Sequence, residues 1–201
     1  MTAKRTSTSG KTPAKQVYQL KVTLLDTSPP IWRRIQVPAE ATLGELHFVL
    51  QVVMGWTNSH LHHFAIEAMH YADPLFELED ARDASRMTLR RVTNRPGSCF
   101  GYLYDFGDGW EHEVLVEDIL PRQRGTRYPI CLAGERACPP EDCGGVWGYE
   151  HFLEAVSNPK HPEHDEYLEW VGGEFDANAF DRDGLNATLI GDVKTLASFR
   201  L

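Results

Sequence analysis

Three histidines, His60, His62 and His112, hold the clearest capacity for chemistry in this chain. In an extended strand, residues two apart point to one face. His60 and His62, in the run HLHHFAI, therefore stand side by side together with Phe64 and Ile66. His112 shares a strand face with Val114 and Val116 in EHEVLV. If the two strands approach each other, three imidazoles could bind Zn²⁺ or another divalent transition metal and leave one position open to water. Asp105 or Asp108 would then orient a ligand from behind. Such a centre would suit a metal-dependent hydrolase with Asp105, Asp108 or Glu141 as general base. The competing account is plain burial, in which these histidines hydrogen-bond at the core edge and hold no ion.

A second candidate is the pair Cys138 and Cys143 in CPPEDC, with Cys131 and His151 nearby in sequence. Structural zinc takes two short-spaced pairs and only one is present, so packed free thiols in a tight loop are the stronger expectation. A third is aromatic. Trp56, Tyr102, Tyr104, Trp110, Trp147 and Tyr149 flank polar turns, and an apolar cleft with a few convergent polar groups is how small ligands and peptides are held. The ligand-binding set read from the sequence is Trp56, His60, His62, Tyr104, Asp105, Asp108, Trp110 and His112. Trp110 is expected at a hairpin tip among Asp105, Asp108, Glu111 and His112, where packing alone needs fewer charges. Two motif matches are rejected. Asp105-Phe106-Gly107 spells the kinase magnesium motif without the other kinase motifs. Asp176, Asn178, Asp181 and Asp183 imitate a calcium loop, but its glycine and glutamate positions hold Asp181 and Ala187.

The elements that must position these groups are legible in outline. FGYLYDFGDGWEHEVLVEDIL, residues 100–120, reads as a hairpin turning at Gly107 and Gly109, both expected at positive φ. Residues 17–25 and 31–37 form another hairpin, broken by Pro29-Pro30. Thr42 caps a helix with Glu45 three residues on; Leu43, Leu46, Val49, Leu50 and Val53 keep helical spacing up to Gly55. Residues 60–66 follow as a strand, and 121–145 as a loop rich in Pro and Gly. Helices are expected at 148–157 and 164–171, with a short one near 177–180 ended by Gly184; the stretch after Asn186 is weakly patterned. Strands first and helices later indicate an α+β fold, with a β-grasp-like hairpin-and-helix start, a mixed sheet carrying the YDFGDGWEH hairpin, and helices in the C-terminal half.

Of the 201 residues, 1–15 carry four basic side chains and no acid, and are expected to be a disordered tail lacking the apolar core of a signal peptide. The rest, 16–201, is expected to be one domain, sheet-rich over 16–120 and helical with a loop over 121–201. It holds 16 Lys+Arg against 29 Asp+Glu, a formal charge of −13 that opposes phosphate attraction. Nucleic acid is thus a disfavoured partner. Residues 141–183 are the most one-sided, with twelve acids against Lys160 and Arg182. No apolar run is long enough to span a membrane. With four cysteines and no secretory signal, a cytoplasmic setting is expected.

The segments WTNSHLHHF, YDFGDGWEH, YPICLAGERACPPEDCGGVWGYEHFLEAV and EFDANAFD, in that order across residues 18–183, resemble the plasmid pRiA open-reading-frame-three-like family. The resemblance implies a protein of bacteria, archaea or mobile elements with no assigned reaction. Some members are labelled resolvase-like passengers of insertion elements, but no serine-recombinase motif occurs here. The sequence reading is therefore a non-enzymatic binding or accessory module for a small ligand or a protein, with the three-histidine hydrolase as the alternative.

Overall fold

Alternating side chains at the start of the chain build an antiparallel hairpin, β1 (Gln16–Leu24) and β2 (Ile31–Pro38), paired in register from Val17 and Pro38 to Leu24 and Ile31. Its inward residues Tyr18, Leu20, Val22, Leu24, Ile31, Ile35 and Val37 join one core with Leu43, Leu46, Val49, Leu50 and Val53 of α1 (Leu43–Met54). That helix begins with a capping box. The Glu45 N–H donates to Thr42 Oγ1 (3.1 Å) and the Thr42 N–H to Glu45 Oε2 (2.8 Å). Gly55, at φ 84°, ends it in the left-handed conformation that a Cβ disfavours.

The computed structural model describes residues 15–196, so the expected basic tail, apart from Lys15, lies outside the described residues. After α1 come β3 (His62–Ile66), β4 (Met69–Ala72), β5 (Arg82–Asp83), the short α2 (Leu89–Val92), β6 (Cys99–Tyr104), β7 (Trp110–Pro121) and β8 (Ile130–Glu135). They form one eight-stranded sheet in the order β5-β4-β3-β6-β7-β1-β2-β8. Every pairing is antiparallel except β4 with β5, so the sheet is mixed. Three helices follow, α3 (Gly145–Ser157), α4 (His164–Trp170) and α5 (Arg182–Leu196). The α+β class and the helical second half agree with the sequence. The β-grasp comparison is not carried beyond the opening hairpin and helix: β1 continues into the sheet by pairing antiparallel with β7. Among the described residues, no helix is long and apolar enough to cross a membrane.

Three local expectations are corrected. The loop expected over 121–145 contains β8, which pairs with β2 along the sheet edge. Gly134 interrupts its pattern for a packing reason: a Cβ there would come within 2.6 Å of the Phe180 ring and 2.8 Å of Arg33. The short helix near 177–180 is absent, and helix starts instead at Arg182, with Asp181 Oδ1 accepting from the Gly184 N–H (2.9 Å) as a cap. Asp176 likewise accepts from the Asn178 N–H (2.9 Å), so the acids that imitate a calcium loop serve a turn and a helix start. Finally, β3 begins at His62, which leaves His60 in the preceding loop.

Candidate functional site

Sheet register decides which sequence-predicted residues meet. On the α1-facing side, His62 of β3 is opposite Tyr104 of β6, and Tyr104 is opposite Trp110 of β7; in the next row Phe64, Tyr102 and His112 face one another. β6 therefore lies between His62 and His112. Two strand spacings, about 9–10 Å, separate their backbones, and the rings of Tyr102 and Tyr104 fill the interval. The three-histidine centre is corrected on this ground: His60, His62 and His112 do not converge, and no group of three ligand-type side chains that approach one another in the described residues contains more than one of them. Same-face spacing was right for His62 and His112, but it carries no information on the strand between them.

His62 and His112 instead belong to a buried layer that includes His47, a residue the sequence reading passed over. His47 lies on the buried stripe of α1, and its ring stacks on that of His62 at 3.4 Å and 6°. His47 Nδ1 meets the Tyr102 hydroxyl (2.8 Å) and Nε2 meets Asn58 Oδ1 (2.7 Å). Gln51 Nε2 donates to the same hydroxyl (3.1 Å), and the Asn58 N–H donates to Gln51 Oε1 (2.9 Å). His112 Nδ1 stands 3.2 Å from Tyr102 O, and its ring is edge-on to Trp56 at 5.4 Å. Burial lowers all three imidazoles, His47 and His112 to about 4 and His62 to about 2, with His47 and His63 adding repulsion at His62. They are neutral at neutral pH. Trp110 is also interior, only 1% exposed, rather than displayed at the hairpin tip.

What does converge is a set of three loops: residues 56–60, the 105–109 turn between β6 and β7, and the 138–145 cysteine loop. The Trp56 indole stacks on Tyr104 at 4.9 Å and donates Nε1–H to Pro139 O (3.0 Å), joining the first loop to the third. Glu141 reaches back, accepting from the Tyr104 hydroxyl, from the Thr57 hydroxyl and from the Thr57 N–H (3.2 Å). Burial first, then Glu141, raises the Tyr104 phenol well above its ordinary value. Asp105, at φ 57°, folds its own turn by accepting from the Gly107 (2.9 Å) and Asp108 (3.3 Å) N–H groups. Positive φ in this turn falls at Asp105 and Gly109, not at Gly107 as expected. Asp108 Oδ2 accepts from the Gly144 N–H (3.1 Å), and Gly145 sits so close that a Cβ would be 2.5 Å from Asp108 O. Here glycine is required by the approach of one backbone to another.

His60 completes this end of the molecule. Its Nδ1 is 3.5 Å from Asp105 Oδ2, and Nε2 is 3.1 Å from Asp142 Oδ1. Of the expected site residues, His60, Asp105, Asp108 and Glu141 thus gather here above Trp56 and Tyr104, while His62, Trp110 and His112 lie inside. Asp142, Thr57 and Ser59 were missed; the adjacency of Asp142 to Glu141 was the only signal for it. Cys138 and Cys143 are free thiols that belong to no group of three converging ligands among the described residues. Burial pushes them to about 11 and about 12, against the pull of Arg33 at Cys138 and with the push of Asp108 at Cys143. Cys138 accepts from buried Arg33 (3.1 Å), whose other hydrogen bonds go to the carbonyls of Trp32, Val53, Glu135 and Arg136.

The stretch of chain that carries these loops falls within a match to known proteins. The family model described as plasmid pRiA4b ORF-3-like protein matches residues 16–184, which include all three loops. An uncharacterised protein of Sinorhizobium fredii, y4hQ, is 44% identical over 173 residues, covering 85% of this chain and 89% of its own. The crystal structure of a protein of unknown function, MM3350 from Methanosarcina mazei, is 38% identical and superposes with a TM-score of 0.78 over 85% of this chain and 98% of that one. On this match of sequence and fold, the chain belongs to the plasmid pRiA4b ORF-3-like protein family.

Proposed function

We propose that the protein is a cytoplasmic, non-enzymatic binding or accessory module, and that the three-loop end receives a cationic segment of a partner protein. The observation that carries this reading is the composition of that end. Each loop bears an exposed apolar side chain at or beside it: Leu61, Phe106 and Trp147. These loops, and the start of β7 that follows one of them, carry Asp108, Glu111, Glu141 and Asp142. Aromatic anchors set among carboxylates favour Lys or Arg groups, through cation–π contact and steering. The same acids disfavour nucleic acid.

The test is a titration of short peptides that differ only in Lys and Arg content, followed by tryptophan fluorescence. Binding should strengthen with positive charge, weaken with salt and fall in Trp147→Ala and Phe106→Ala. Binding indifferent to peptide charge and to both substitutions would overturn the reading.

A further inference from the structure

We propose that His60, Asp105 and Asp142 form a site for a divalent transition ion, with one imidazole nitrogen and two carboxylate oxygens as ligands and the remaining positions open to water or to an atom of a bound partner. This rests on reading the three-loop end as the binding site and supplies its centre.

One ligand atom from each of the three residues lies within 4.8 Å of the others, and each residue comes from a different loop. His60 Nε2 comes within 3.1 Å of Asp142 Oδ1 yet is off hydrogen-bond alignment, so that buried nitrogen is without a hydrogen-bond partner. The imidazole is thus wedged between two carboxylates without a well-formed bond to Asp142. Among the described residues, the His60 imidazole is also the one basic side chain recorded within ion-pairing distance of either of them: no Lys or Arg forms an ion pair with Asp105 or Asp142. Asp105 is 7% exposed, and a buried carboxylate of this kind is stabilised by a counter-charge. Imidazole with two carboxylates is a donor set suited to zinc or manganese. Rotation of the exposed Asp142 side chain could bring the oxygens to the ~2.1 Å that such ions require. The stacked rings of Trp56 and Tyr104 back the site, and an apolar wall of this type limits water behind an ion.

A second trio, His151, His161 and Glu163, also draws close, but it is weaker. His161 Nδ1 already accepts from the Glu163 N–H (3.2 Å), and His151 is committed to Glu163 (2.8 Å).

The experiment is calorimetric titration of the chelator-stripped full chain with Zn²⁺ and with Mn²⁺, alongside melting curves. The expected result is one equivalent bound in the wild type, none in His60→Ala, and affinity lower by about tenfold or more in Asp142→Asn. His151→Ala should bind as the wild type does. Because Asp142 is at the surface, Asp142→Asn should melt like the wild type, so its loss of affinity cannot be ascribed to unfolding. No uptake of either ion by the wild type would overturn the proposal. So would uptake that survives His60→Ala and disappears in His151→Ala. Peptide titrations repeated in chelator separate the two readings: charge-dependent peptide binding without ion uptake rejects the ion site alone, and ion uptake without peptide binding rejects the proposed partner alone.

Discussion

His60 and the His47–His62–His112 layer set the same side chain in opposite surroundings. The inner three are covered by aromatic rings, His47 is paired with a hydroxyl and an amide and His112 with a carbonyl, His62 is held by stacking on His47, and burial keeps all three neutral. His60 lies a few residues away at the end of the sheet with a carboxylate on each side. The contrast shows how the fold divides its polar groups. Uncharged networks are kept under α1, whereas the two carboxylates that face His60 stand on loops at the end of the sheet.

The largest effect that would test this division is acid sensitivity. Each inner imidazole has a folded-state value below that of the unfolded chain, so below about pH 6.5 the unfolded chain takes up protons that the folded one refuses. Stability contributed by these groups is complete above pH 6.5 and falls as the pH drops toward 4, by about 1.4 kcal/mol per pH unit for each of the three. Urea denaturation between pH 7 and 4.5 should show this slope, and His62→Leu should flatten it. An unchanged slope in that variant would mean that His62 titrates as it does in water.

Joining the loops comes next. Gly145→Ala should destabilise by about 1–3 kcal/mol, since a Cβ must push against Asp108 O at φ 70°. An unaltered melting temperature would show that the cysteine loop is not held against the hairpin. Tyr104→Phe removes the hydroxyl that serves Glu141 and the Ser59 N–H (3.1 Å), and should cost about 1–2 kcal/mol by the same assay. The smallest effect separates two glycines of one turn. Gly109→Ala, at φ 71°, should lose about 1 kcal/mol, and Gly107→Ala less. Equal losses would contradict the turn geometry.

The hairpins and α1 were legible because period-two alternation, the Thr42–Glu45 cap and Gly55 are local signals. β8 and α5 were not. β8 is a short edge strand whose Gly134 yields to Phe180, and α5 carries Gly184, Thr188 and Gly191 where stronger helix formers would advertise it; Leu189 is its buried anchor. The site was half legible. Residue types in WTNSH, DFGDG and PPEDC marked the loops that meet, but which His pairs with which acid depends on β6 lying between β3 and β7, a fact of sheet order that no single strand encodes. His47 was hidden in a helical run where Leu46 and Leu50 accounted for the pattern.

One consequence of the Gln51–Tyr102–His47–Asn58 ring concerns its protons. A backbone N–H can only give a hydrogen, so Asn58 N–H fixes Gln51 Oε1 as its acceptor and turns the Gln51 amide nitrogen toward Tyr102. Tyr102 must then pass its own hydrogen to His47 Nδ1, and His47 must carry its proton on Nε2, facing Asn58 Oδ1. The circuit runs in one direction only. It should therefore appear in nitrogen-15 spectra as a single, unexchanging tautomer of His47, with a Tyr102 hydroxyl proton sheltered long enough from solvent to be seen as a resonance of its own.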